Sequence, residues 1–153
     1  MVGKNSVHWG IVYLATVLSE MVAVPILADF KVDAVEHIIN HSEARLLFAS
    51  ELMRKQIKPE NISYIEAIFS IEDLVVVETN NKAIKEICDN KEEKFKQCYP
   101  AEFTSNSLNI DPISNDKLAV ISYTSGTSGT SKGVMLTHNS LAANMEFAQS
   151  NMP

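Results

Sequence analysis

Between Thr124 and Ser131 every residue that is not glycine is serine or threonine, and Lys132 and Gly133 follow at once. Three of the chain's five glycines, Gly126, Gly129 and Gly133, fall in this stretch. Glycine lets the backbone turn so that amide N–H groups approach a guest closely, and hydroxyls add donors around the same centre. Lys132 adds a flexible point charge at the far end, suited to the outer oxygens of a polyphosphate. A Ser/Gly linker draws on the same residue types but needs neither the lysine nor anchored ends. Here residues 118–123 read as a strand entering the run and residues 134–136 as a short strand leaving it. The run is therefore expected to bind phosphate on a rigid scaffold.

The nucleotide-binding loop G-x-x-x-x-G-K-[ST] does not describe it. Counting from Gly126, the sixth position is Ser131 where glycine is required, and Lys132 is followed by Gly133 where Ser or Thr is required. The context differs too, because that loop opens directly into a helix, whereas here the helix is delayed to about Asn139. A kinase-type G-x-G-x-x-G loop is also absent from the sequence.

The elements that must position this loop can be read from periodicity. Asn5 and Ser6 can cap a helix whose apolar positions are Ile11, Val12, Leu14, Ala15 and Leu18. Residues 22–27 read as a strand in which Pro25, lacking a backbone donor, favours a strand end or edge. Asp33 and Glu36 bracket a second helix start with Val35, Ile38 and Ile39 as its buried stripe, and residues 45–49 form the next strand. A β-branched run over 74–77 predicts a strand, and the alternating charges of 82–96 predict one solvated surface helix. Residues 56–71 fit a helix or a strand equally, and 100–115 read as a connection. Strands alternating with helices predict an α/β fold with a largely parallel sheet flanked by helices.

Composition narrows the function classes. The chain has 153 residues, 46% hydrophobic and 21% charged, which describes a globular domain or a piece of a larger one. Its net charge of −6 repels a nucleic-acid backbone, so no nucleic-acid partner is expected. Cys88 and Cys98 lie in no metal-ligand spacing, and reduced thiols in a cytoplasmic protein fit them best. The apolar stretch 9–18 after Lys4 imitates a secretory signal, but Ser19 and Glu20 interrupt it well short of the roughly 20 residues that cross a bilayer. No integral membrane segment is expected, and the Asn61-Ile62-Ser63 sequon then carries no glycan.

The run from Tyr123 to Gly133 resembles the phosphate-binding signature of the AMP-forming acyl-adenylating enzymes, in which an aromatic residue precedes Thr-Ser-Gly-Ser/Thr-Thr-Gly-x-Pro-Lys-Gly-Val. The chain departs from it with Ser128 where Thr is usual, keeping the hydroxyl, and Ser131 where Pro is usual, losing a rigid turn. The segments Asn5-Ser6 with Trp9, Val22 to Pro25, His41 to Phe48 and Val134 to Asn139 are similar to further family passages in the same order, with Met21 standing where glycine is usual. The likeness is strongest to the fatty acid–CoA ligases. It implies that the chain is a fragment of the large N-terminal domain, ending shortly after the loop at 124–133, with the small C-terminal domain absent.

That resemblance implies ATP, Mg2+ and coenzyme A as cofactors and a carboxylic acid, of the fatty class, as the second substrate. Thr124, Ser125, Thr127, Ser128 and Thr130 would donate hydroxyls, Gly126 and Gly129 close-approach amides, and Lys132 would meet the terminal phosphates. Mg2+ would ride on the ATP phosphates with help from Thr127, and coenzyme A would bind mostly outside these residues. No catalytic residue is expected within the chain, and alone it should not adenylate, because a phosphate grip without substrate positioning forfeits most of the proximity effect. An adenylation domain loading a carrier protein, or a non-catalytic nucleotide-binding module, shares the same loop. His138 is expected to cap or pack, His8 and Trp9 to pack at a helix entry, and His37 with His41 not to hold a metal.

Overall fold

The structure is a computed structural model that describes residues 1–100, 102–104, 107, 112–125 and 131–152. Helix α1 (Val7–Leu18) starts where Ser6 accepts a hydrogen bond from the Trp9 amide, as its sequence predicts. It leads into the extended residues 23–26 and then α2 (Val32–His41). Strand β1 (Leu46–Ala49) comes next, then the one-turn α3 (Glu51–Arg54) and a 3-10 turn at Pro59–Asn61. Strands β2 (Ala67–Ser70) and β3 (Val76–Thr79) precede helices α4 (Lys82–Asp89) and α5 (Lys91–Cys98). The last described elements are β4 (Leu118–Ser125), β5 (Ser131–Thr137) and α6 (His138–Asn151).

The strands join through single bridges into one line. Its order is β5, β4, residues 23–26, Val2, β1, β2, β3, and every pairing between β4 and β2 is parallel. Only the outer pairs β4–β5 and β2–β3 are antiparallel. The fold is thus α/β, with a parallel centre and two antiparallel edges. Residues 23–26 lie inside the sheet through isolated bridges rather than as the continuous strand expected over 22–27, and of the two places expected for Pro25, strand end or edge, the structure shows the end. Ala23 exchanges hydrogen bonds with β4 at 2.9 Å on one side, while Ile26 donates to Met1 on the other. Pro25, which has no N–H, stands where the contact with β4 ends and leaves two short bridges in place of a continuous ladder.

Two apolar layers hold the sheet. On one side Val35, Ile38 and Ile39 of α2 pack with Val2, Ile26, Leu47, Ile68 and Tyr123. On the other, Val17 of α1 packs with Ala23, Ala119 and Val120, and Leu141 of α6 packs against them. Both α1 and α2 end in the same hydrogen-bond pattern: the Met21 amide reaches back to Thr16, and the Ala44 amide to Ile39. The left-handed residue these caps require is Glu20 in one and Glu43 in the other, at φ 57° and 50°. The strained position thus precedes Met21 by one residue.

Other expectations are corrected locally. Asp33 and Glu36 do not bracket the start of α2: the helix begins after Lys31, which offers no side-chain bond, so Asp33 is already inside it, as is Glu36. The buried Glu36 carboxylate accepts from the Lys58 amide at 2.9 Å and from Asn61 Nδ2 at 2.6 Å, holding the 3-10 turn against the helix. The charged helix over 82–96 is two helices broken at Asn90, and the ambiguous stretch 56–71 resolves into the 3-10 turn and β2. Strand β3 begins two residues later than the β-branched run.

Candidate functional site

β4 ends at Ser125 and β5 begins at Ser131, so the Ser/Thr/Gly run joins two strands that pair antiparallel. Its stem is set by cross-strand partners: Tyr123 opposite Gly133, Thr124 opposite Lys132, and Ser125 opposite Ser131. Thr124 and Lys132 are exposed. Gly126, Thr127, Ser128, Gly129 and Thr130 lie outside the described residues. Of the eight residues assigned to phosphate, the structure therefore places Thr124, Ser125 and Lys132, and it brings Thr124 and Lys132 together on one rung.

The element beyond the loop decides the loop's type. Residues 131–137 continue as an extended strand, seven residues long rather than the three expected, and helix α6 starts only at His138. A nucleotide loop of the G-x-x-x-x-G-K-[ST] class aims a helix N-terminus at its phosphate, and this hairpin has none there. Described donors beside the loop include the Thr124 hydroxyl and the Lys132 ammonium, and both residues are exposed. Among the described residues no group of three or more His, Cys, Asp or Glu side chains is placed to hold a metal ion.

The hairpin is fixed at both ends. At its base, Lys117 pairs through its ammonium with Glu20 just after α1, and the His138 amide donates to the Lys117 carbonyl at 3.0 Å. Thr137 caps α6 by accepting from the Ser140 amide, so His138 is the first helical residue rather than the cap. Its Nε2 is buried without a hydrogen-bond partner among the described residues. At the stem, Tyr123 is buried, and burial raises its phenol pKa above the ordinary value. Its hydroxyl lies 2.6 Å from His41 Nδ1, and the two rings meet edge to face.

Gly133 packs closely inside the stem. A Cβ there would stand 2.9 Å from Ile121 Cγ2 and 3.1 Å from the Tyr123 ring, closer than side chains tolerate. The His41–Tyr123 bond spans 82 positions, and no local spacing signals it. His37 lies beside His41, with ring centroids 5.7 Å apart. Trp9 stacks on Tyr13 with ring centroids 5.5 Å apart in the first turns of α1.

A family model described as AMP-binding enzyme matches residues 1–152. The peroxisomal long chain acyl-CoA synthetase 7 of Arabidopsis thaliana is 29% identical over 144 residues, which cover 92% of this chain and 20% of that protein. The medium-chain fatty-acid–CoA ligase of Escherichia coli is 28% identical over 141 residues, covering 87% of this chain and 22% of that protein. A solved long-chain-fatty-acid–CoA ligase from Archaeoglobus fulgidus superposes with a TM-score of 0.66 at 29% identity, over 96% of this chain and 26% of that one. A red-emitting luciferase from Phrixothrix hirtus shares the fold, with a TM-score of 0.71 at 14% identity over 97% of this chain and 34% of that one. The chain spans about a fifth of the length of these curated relatives.

Proposed function

The chain belongs to the family of AMP-binding enzymes, and from that premise we propose that its β4–β5 hairpin is the phosphate grip of an AMP-forming acyl-CoA ligase. The observation that carries this reading is the two-stranded stem that the Ser/Thr/Gly run connects, with Thr124 and Lys132 opposite each other one rung from its end. In the reaction, a carboxylate oxygen of the acid attacks the α-phosphorus of ATP, the bond to the bridging oxygen breaks, and pyrophosphate leaves. A thiolate of coenzyme A then attacks the acyl carbon and AMP departs.

Negative charge grows on the leaving pyrophosphate, so donors fixed around the β- and γ-phosphates favour the transition state over the ground state. Lys132 supplies the charge, Thr124, Ser125, Thr127, Ser128 and Thr130 the hydroxyls, and Gly126 and Gly129 the amides. Mg2+ would enter on the nucleotide, with Thr127 as its protein donor. The names of the relatives support a fatty acid as substrate. The chain contributes a portion of the N-terminal domain, with residues outside it binding adenine, acyl group and coenzyme A. The reading places the enzyme in the cytoplasm; among the described residues no helix is long and apolar enough to cross a membrane.

The test is carboxylate-dependent ATP–pyrophosphate exchange by the longer protein that contains these residues, with short, long and aromatic acids, and with the 153-residue chain assayed beside it. Exchange driven by one acid class in the longer protein and by none in the chain alone is the expected outcome. ATP binding without exchange for any acid would leave only a nucleotide-binding module. Exchange succeeded by transfer to a carrier protein but not to coenzyme A would replace the acceptor.

A further inference from the structure

Tyr123 is the last buried residue before the stem opens to solvent at Thr124. Three contacts fix its ring: Gly133 opposite, whose missing side chain leaves the ring its space, and the edge-to-face packing and 2.6 Å hydrogen bond of His41. His41 is the final residue of α2, a helix held rigidly by the fully buried Val35 and Ile38 and by Ile39. The next two rungs, Thr124–Lys132 and Ser125–Ser131, are those from which the loop springs. A side chain locked by packing and a supporting hydrogen bond holds its neighbours to the geometry that binding needs.

We propose that His41 is a positioning residue for the phosphate grip: by holding the Tyr123 hydroxyl it ties the stem, and with it Thr124 and Lys132, to α2. The inference rests on the phosphate reading of the hairpin and adds to it a residue outside the loop. His41 touches no substrate; it acts through Tyr123. In β4 the tether sits one residue from Thr124, so a rotation of the Tyr123 ring away from Gly133 would twist the rung that carries Lys132. Asparagine at 41 can restore the link, because its side chain places a polar δ atom where Nδ1 stands, whereas alanine cannot.

The test uses the longer protein that contains these residues as wild type, His41→Ala, His41→Asn, Tyr123→Phe, the double variant His41→Ala/Tyr123→Phe, and Lys132→Ala. Amide hydrogen exchange at Thr124, Ser125 and Lys132, titration with MgATP and thermal unfolding are read on each. His41→Ala and Tyr123→Phe are each expected to speed stem exchange and weaken MgATP by about five- to tenfold, the size of one hydrogen bond. The double variant is expected to be no worse than His41→Ala, and His41→Asn to recover most of the loss. If His41→Ala lowers the melting temperature but leaves stem exchange and MgATP affinity unchanged, the bond merely staples a helix and the inference is overturned. If wild type and Lys132→Ala respond to MgATP alike, or neither binds it, the phosphate reading itself fails. The exchange pattern of the stem still reports on the tether, which tells the two failures apart.

Discussion

Gly133 faces Tyr123 across the hairpin, and the space that its missing side chain leaves is filled by the tyrosine ring. Glycine is therefore required at this rung by contact rather than by backbone conformation. Gly133→Ala places a methyl 2.9 Å from Ile121 and 3.1 Å from the ring, which overpacks a sheet held at organic-crystal density. The expected loss is about 1–3 kcal/mol. Urea denaturation measures it, and Tyr123→Leu in the same background should recover part of the loss by removing the ring.

Glu36 sets the second prediction. Its two carboxylate oxygens each accept one hydrogen bond, from the Lys58 amide and from Asn61 Nδ2. Glu36→Gln replaces one acceptor with a donor and leaves a buried N–H facing another N–H. The cost is expected to be about 1–3 kcal/mol, read as a lower urea midpoint at unchanged m-value. Asn61→Ala should lose less, since the carboxylate then keeps the Lys58 bond.

The left-handed caps make a third, opposite prediction. Glu43 holds φ at 50° where glycine is unstrained. Glu43→Gly is expected to stabilise the chain by about 0.5–1 kcal/mol, the relieved strain exceeding the entropy of the freer unfolded chain. Glu20→Gly relieves the same strain but gives up the partner of Lys117, and should therefore gain less. Thermal unfolding of both variants at one pH decides the ranking.

In the 153-residue chain taken by itself, a pH dependence arises at its amino group. The Met1 ammonium is buried, donates to the Val24 carbonyl at 2.9 Å, and burial lowers its pKa from 8.0 to about 5. Below about pH 5 the group is charged in both folded and unfolded chains, and above about pH 8 it is neutral in both. Between these limits the unfolded chain binds the proton that the folded chain excludes, so stability falls as pH drops from 8 to 5. The loss is on the order of 3–4 kcal/mol. Acetylating the amino group should flatten that part of the stability profile.

The sequence carried the loop and the helices of the parallel core. The hydroxyl–glycine run, its lysine and the strand before it were legible because they are local, as were Ser6 at the start of α1 and the buried stripe of α2. The features that escaped are long-range or depend on a single position. Asp33 and Glu36 mark a helix start by their spacing, and that spacing does not show that Glu36 turns inward to a distant turn. Pro25 reads as a strand end or an edge, because its missing donor says nothing of how many strands lie beyond it. The tie between His41 and Tyr123 joins residues 82 apart, and only the packing of α2 on the sheet brings them together.

The most direct measurement of the central claim is ATP–pyrophosphate exchange by the longer protein carrying Lys132→Ala, with the acid that supports exchange best. The phosphate-grip account predicts a fall of about 10²–10³-fold, the loss typical of one donor to developing charge. It also predicts that a Lys132→Arg variant retains a larger share of activity than alanine, because the positive charge remains. Exchange by Lys132→Ala at the wild-type rate, with ATP affinity unchanged, would contradict the account and move the phosphate site away from this hairpin.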